Sequence, residues 1–269
     1  MNRSDYVVLI PAYNEARTIR AVAERVMAHG HRVIVIDDGS DDGTADQLTG
    51  MPLLVLRSAR NKGKAAALWL GMQCALQDGA RWIITLDADG QHDPVEIPRF
   101  IECARRYPDA LVVGSRLHAK NAIPPARYRA NRFANFWIAW AAGQAIIDSQ
   151  CGFRLYPASV LSQTEAGHNP RQGFVFESEI LIDAGRAGSP IVALPIAAIY
   201  EATARPSHFR PVVDIARIAR MITVKLLSRA LDLPGLMRSI TSRPLVCNPV
   251  LVRPSCAKAE PATAVVHEP

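Results

Sequence analysis

Asp87 and Asp89 stand one residue apart, directly after the largely apolar run Trp82-Ile83-Ile84-Thr85-Leu86, and Gly90 follows them. A short apolar run bounded by turn formers reads as a buried strand of a parallel sheet. Two carboxylates at the mouth of such a strand repel each other unless a cation lies between them. The pair therefore suits a divalent ion together with an anion carried by that ion. Gly90 permits a sharp turn after the acids, Asp93 suits a helix cap, and Pro94 opens the next helix. Glu15, Asp38, Lys64 and Arg116 also follow apolar runs, so acid and base gather wherever those strands end.

The elements that must position these groups follow from pattern. Tyr6–Ile10 reads as a β-branched strand closed by Pro11, with a helix to about His29 after it. Arg32–Ile36 is a second strand, ending in the cap-rich loop Asp37-Asp38-Gly39-Ser40-Asp41-Asp42-Gly43-Thr44. Leu53–Leu56 is a third, running into Arg60-Asn61-Lys62-Gly63-Lys64 and a helix over Ala65–Gln77. With the strand at Trp82, four β-α units in succession predict an α/β fold. It is a doubly wound, mostly parallel, Rossmann-like sheet with helices on both faces. Ligands of such sheets bind outside the carboxyl ends of the strands, where every one of these loops lies. Further along, Leu111–Arg116 predicts a strand, Ile123–Ile147 a helix, and Asp148–Tyr156 a polar turn and short strand. A helix opening at Phe174 should reach about Ala187. Ile191–Tyr200 reads as a strand made short or peripheral by Pro195, and Val212–Leu231 as a helix.

The chain has 269 residues, 49% of them hydrophobic, enough for one domain with appendages. A formal charge of +6 and a pI near 9.3 favour anionic partners. Nucleic acid is not expected, since aromatics are 6% and no basic stripe is interleaved with them. Five cysteines without C-x-x-C spacing predict reduced thiols in the cytoplasm rather than a disulfide frame or zinc site. Neither a signal peptide nor an apolar run of membrane-spanning length is read in the sequence. A phosphate-binding P-loop is absent, and so is Gly-x-Gly-x-x-Gly after the first strand. ATP hydrolysis and hydride transfer lose their support. Displacement at a nucleoside diphosphate remains, by sugar transfer or nucleotidyl transfer.

Pro11-Ala12-Tyr13-Asn14-Glu15, the Asp37–Thr44 loop, Asn61-Lys62-Gly63-Lys64 and Asp87-Ala88-Asp89-Gly90-Gln91, in that order, resemble family 2 glycosyltransferases of the GT-A fold. The nearest subgroup is the polyprenyl- or dolichyl-phosphate sugar transferases, and the likeness runs from about Tyr6 to Pro211. It implies an inverting transfer from a nucleotide-sugar donor, with Mg²⁺ or Mn²⁺ between Asp87, Asp89 and the diphosphate, and Asp89 central to catalysis. Base and ribose contacts are implied for Pro11, Tyr13, Glu15 and Asp38, a place near the nucleotide for Lys64, and one near the metal on the acceptor side for Gln91. Gly114-Ser115-Arg116, Arg127 with Asn135, Ser149–Arg154, and Arg205 with His208 resemble the subgroup's lipid-phosphate-binding positions. His208 stands where lysine is usual, and a histidine of ordinary pKa holds phosphate less firmly at neutral pH.

A hydroxyl acceptor would need a general base, whereas a phosphate acceptor needs none. Glu177 and Glu179 cannot both face the site from one helix. The resemblance selects Glu179. The expected organisation is a glycosyltransferase domain over 1–211, an amphipathic helical segment over 212–240, and a tail without regular structure over 241–269. Ile215, Ile218, Ile222 and Leu226 form one apolar stripe flanked by Arg217, Arg220 and Lys225, which suits a helix resting on a membrane surface or, since Met221, Val224 and Leu227 lie off the stripe, one packed on the sheet with its cations in water. A cytoplasmic chain of this kind could attach peripherally to the inner face of the cytoplasmic membrane. The alternatives are transfer to a hydroxyl of a lipid or polymer, and a non-catalytic nucleotide-sugar-binding subunit, for which the Asp87/Asp89 pair would be dispensable.

Overall fold

The computed structural model describes residues 5–117, 125–164, 175–197 and 211–249, without the side chains of 126–127 and 211–215. Its framework is one eight-stranded sheet. The strands are β1 (Tyr6–Ala12), β2 (Arg32–Asp37), β3 (Leu54–Arg57), β4 (Trp82–Thr85), β5 (Leu111–Ser115), β6 (Arg154–Pro157), β7 (Ile191–Pro195) and β8 (Leu245–Val246). The helices are α1 (Ile19–Ala28), α2 (Lys64–Gln77), α3 (Ile97–Arg106), α4 (Pro125–Ala142), α5 (Ala158–Gln163), α6 (Val175–Arg186), α7 (Pro211–Leu227) and α8 (Leu233–Thr241).

Strand order is β3-β2-β1-β4-β6-β5-β7-β8. All neighbours run parallel except β6, which lies antiparallel between β4 and β5. The mostly parallel α/β expectation holds, and among the described residues β6 is the one reversal. Val7–Ile10, Ile83, Ile84, Leu111 and Val112 are fully buried, as continuous apolar strands covered on both faces must be. Each large aliphatic side chain so buried stabilises the fold by about 1.5–3 kcal/mol.

Three expectations change. β1 continues through Pro11 to Ala12, in register with Ile36 and Asp37 of β2, so Pro11 does not end the strand. The segment from 241 is not without structure at its start, because Leu245 and Val246 pair with Val192 and Ala193 of β7. A partner strand, not local propensity, orders these two residues. The apolar stripe of α7 is core: Ile218, Ile222 and Leu226 are buried at 9%, 5% and 4% exposure, where α7 packs on α4 and α6. A stripe already covered by protein has no apolar face left for a bilayer. Among the described residues, no helix is long and apolar enough to cross a membrane.

Candidate active site

The carboxyl ends of β1, β2 and β4 open on one side of the sheet, and short side-chain bonds sew their loops together. Asn14, in the left-handed region at φ 57°, donates its N–H to Ser40 Oγ at 2.9 Å. Asp41 N–H returns to Asn14 Oδ1 at 3.0 Å, and Glu15 N–H reaches Thr44 Oγ1 at 2.8 Å. Asp42 accepts from Ala16 N–H at 3.1 Å and from Thr44 N–H at 3.0 Å. These bonds set Pro11, Tyr13 and Glu15, all half-buried, beside the Asp37–Thr44 loop. Gly39, at φ +72°, lets that loop meet the next, since a Cβ there would lie 2.5 Å from the Arg60 carbonyl carbon.

Asp38 is buried at 3% exposure, and its two oxygens accept N–H bonds from Lys62 at 2.9 Å and Gly63 at 2.7 Å. Burial outweighs these donors and raises its carboxyl above the usual range. Its first task is therefore to hold the loop that delivers Lys64 at the start of α2. Any base or ribose contact uses lone pairs left over from that role.

Lys64 is the hub. Its Nζ lies 2.7 Å from Asp87 Oδ1 and 3.2 Å from Glu177 Oε2. Burial opposes its charge, but Asp87 and then Glu177 more than compensate and keep the ammonium protonated. Burial likewise works against the Asp87 carboxylate, yet Lys64 holds it down at about 2. Asp89 is displaced the other way, raised by burial and then by the neighbouring Asp87 charge. Its Oδ1 accepts from Gln91 N–H at 3.0 Å, and no hydrogen bond among the described residues reaches Oδ2. The Arg116 guanidinium favours the ionised forms of both acids from nearby.

Two carboxylates of hard oxygen character, one with an unengaged oxygen, fit a divalent ion that takes its remaining ligands from phosphate and water. Among the described residues no third histidine, cysteine or acid completes a protein-only cage.

Glu177 and Glu179 are placed opposite to expectation. Glu177, 7% exposed, faces the site through Lys64, while Glu179 turns outward to Lys225 of α7, 3.4 Å away. Periodicity does not separate the two: Glu177 shares a face with the buried Ile180, Leu181 and Ala184, but Glu179 has the buried Phe176 and Ile182 three residues to either side as well as Asp183 and Arg186.

Arg154 is corrected as well. It is 1% exposed and offers nothing to an acceptor: Nε donates to Cys151 O at 2.7 Å, and the terminal nitrogens donate to Glu177 O at 2.6 Å and Ser149 O at 2.8 Å. Asn135 acts similarly, its Oδ1 accepting from Ser149 N–H and Oγ–H while Nδ2 donates to Ile147 O. Together they brace the 148–153 loop. That loop carries Gly152 against the acids, where a Cβ would sit 2.8 Å from Asp87 Oδ2 and 3.0 Å from Lys64 Nζ.

His92 follows the acid motif and carries no sequence signal of its own. It is 2% exposed, its Nδ1 accepts from Asp87 N–H at 3.3 Å, and burial lowers its pKa to about 4, leaving a neutral ring. Arg205 and His208 lie outside the described residues, as does the side chain of Arg127, whose backbone sits in the first turn of α4.

The family model "Glycosyl transferase family 2" matches residues 7–164, more than half of the chain. Polyprenol monophosphomannose synthase of Mycolicibacterium smegmatis is 29% identical over 201 residues, covering 71% of this chain and 76% of that protein. UDP-N-acetylglucosamine–dolichyl-phosphate N-acetylglucosaminyltransferase of Methanococcus voltae is 29% identical over 215 residues, covering 72% and 85%. Among solved structures, glucosyl-3-phosphoglycerate synthase of Mycobacterium tuberculosis, in complex with Mn²⁺, uridine diphosphate and phosphoglyceric acid, superposes with a TM-score of 0.61. Identity there is 20%, over 83% of this chain and 78% of that one, a likeness of fold. The span of the family match and the common fold lead to one conclusion: the chain belongs to glycosyl transferase family 2 and is a glycosyltransferase with the GT-A fold.

Proposed function

We propose that the enzyme moves a sugar, with inversion, from a nucleoside diphosphate donor to the phosphate of a polyprenyl phosphate, using Mg²⁺ or Mn²⁺ held by Asp87 and Asp89. The observation that carries this reading is the meeting of Asp87, Asp89, Lys64 and Arg116 at one mouth of the sheet. A divalent ion bound there would neutralise charge building on the departing nucleoside diphosphate. Asp38 holds the loop that presents Lys64, and the 148–153 loop closes over the acids. Pro11, Tyr13 and Glu15 would line the base and ribose. Gln91, Arg116, Arg127, Arg205 and His208 would face the acceptor. Relatives named for polyprenol and dolichyl phosphate chemistry support this acceptor class.

A phosphate anion attacks without a general base, so Glu177 in this reading only positions Lys64. A hydroxyl acceptor is the second reading, favoured by Glu177 Oε1, which is buried without a hydrogen-bond partner. Purified enzyme given UDP- and GDP-sugars, with polyprenyl phosphate or polyprenol, separates the two. Transfer to the phosphate, abolished by EDTA and restored by Mg²⁺ or Mn²⁺, is expected. Asp89→Asn should lower turnover by at least about 100-fold, ~2.7 kcal/mol of barrier, with an unchanged melting temperature. Activity within about tenfold of wild type would remove Asp89 from the mechanism.

A further inference from the structure

The chain turns back beneath its own acid pair. Along the edge of β4 that faces β1, the last N–H taken up by a strand is that of Leu86, which donates to Leu9 O at 3.2 Å. The next N–H, that of Asp87, is taken up by a side chain instead. Gly90, at φ +77°, reverses the backbone, and Asp93 caps the following turn by accepting from Val95 N–H at 3.0 Å. Between those two points His92 is carried back inside, 2% exposed. Its Nδ1 accepts the Asp87 N–H at 3.3 Å and does for Asp87 what β1 does for Leu86. A backbone N–H turned inward needs such an acceptor.

This bond also fixes the place of the ring's proton. A nitrogen that accepts does not carry one, and the Asp87 carboxylate lies too far away to draw a proton onto Nδ1, with Oδ2 at 3.9 Å. The proton is therefore on Nε2, which faces Cys151 Sγ at 3.7 Å and donates to it. Sulfur accepts weakly, but this contact falls on the 148–153 loop, which lies over the acids. That loop rests at two further points. Thr85 Oγ1–H donates to Gly152 O at 2.9 Å, and the Phe153 ring lies against the His92 ring, with centroids 5.3 Å apart, and stacks on Phe100 at 4.4 Å. The clearance above the acids is small, since a Cβ on Gly152 would come within 2.8 Å of Asp87 Oδ2. His92 touches both the main chain of the acid loop and the loop above it.

We propose that His92 is a positioning residue for sugar transfer: it holds the Asp87 main chain by Nδ1 and the 148–153 loop by Nε2, and so sets the carboxylates and the loop over them as one piece. It acts through Asp87 and Cys151, and the role rests on the reading of Asp87 and Asp89 as metal ligands. Packing alone asks only for a ring under Phe153, which phenylalanine supplies. Positioning asks for an acceptor beside the Asp87 N–H, which the Oδ1 of asparagine supplies from the same branch of the side chain.

Mn²⁺ binding to the purified full chain, followed by the electron paramagnetic resonance of the free ion, tests this without turnover. His92→Phe should weaken Mn²⁺ about 10- to 100-fold, the usual loss when the group behind a metal ligand is removed, while His92→Asn should stay within about threefold of wild type. His92→Leu serves equally where His92→Phe does not fold. Native alkylation reads the second bond. In both variants Cys151 should be marked about fivefold ahead of Cys103, the worth of one lost hydrogen bond, whereas wild type marks the two together. His31→Phe, at a buried histidine just before β2 and so at the opposite end of the sheet, should change neither readout. Wild type without a Mn²⁺ site overturns the metal reading and this proposal with it. A wild-type site that His92→Phe leaves intact, or that His92→Phe and His92→Asn weaken equally, overturns the positioning role alone and leaves His92 a packing residue. Cys151 and Cys103 marked together in both variants would overturn the tie to the loop.

Discussion

Glu177 and Glu179 point about 200° apart around α6, and that angle decides which one matters to the chemistry. Glu177→Gln keeps the volume but leaves Lys64 and Arg154 without their shared carboxylate. Turnover should fall by more than about tenfold, ~1.4 kcal/mol, while Glu179→Gln, on the side of the helix that meets Lys225, should leave it within about twofold. Equal losses for the two in a steady-state assay would return Glu179 to the site. Asp42 carries a second prediction. Although burial pulls its carboxyl upward, the Thr44 hydroxyl and the N–H groups of Ala16 and Thr44 hold it below the ordinary value. A lowered folded pKa means that this group's stabilisation is present above about pH 4 and is lost as pH falls through the folded value. Urea midpoints of wild type and Asp42→Asn should therefore differ at neutral pH and converge as pH falls below the ordinary carboxylate range. A constant gap would show that Asp42 does not titrate as placed. The acid pair could be placed from sequence because it follows its strand directly, and Lys64 because it opens the helix after the β3 loop. The placement of Glu177 could not, because apolar residues flank both glutamates along α6 and only the neighbouring Lys64 and Lys225 tell them apart.

The strand β6 and the loop before it show what pattern alone does not convey. Asp148–Tyr156 reads as a polar turn and a strand, but nothing local states that the strand runs antiparallel between β4 and β5. Direction is set by where the preceding chain arrives, a tertiary matter. Arg154 is the pin of this element, so Arg154→Met should cost roughly 3 kcal/mol, measured by denaturant unfolding. It would strip three backbone carbonyls of their donor and take a cation from beside a buried carboxylate. A loss below about 1 kcal/mol would mean that the loop holds without it. β8 escaped notice for a related reason: two residues beside Pro244 carry no alternation, and only pairing with β7 makes them a strand.

At the scale of the whole molecule, burial orders the thiols. Cys103, Cys151 and Cys247 are buried and Cys74 is partly exposed. Burial pushes the Cys151 thiol up to about 12, and it raises Cys103 too, with help from Cys247 beside it. Under native conditions at about pH 8, alkylation mapped by peptide mass should, among the four described thiols, mark Cys74 first and reach the three buried ones only at the rate of global unfolding. Early labelling of Cys151 would show that the 148–153 loop opens by itself. The loops after β1 to β4 could be placed from sequence because they fall within a hundred residues, each beside the strand that bears it. The rest is assembled from segments far apart in the chain, so charge and pattern named its residues without arranging them. The reversed β6 also has a consequence for synthesis. A chain leaving the ribosome from its N-terminus can lay β1, β2, β3 and β4 side by side early, yet Asp87 then has neither Gly152 above it nor Glu177 behind Lys64. If the proposed function holds, the nascent domain captures nucleotide before it turns over, and competence arrives only when residue 154 threads back beside residue 85.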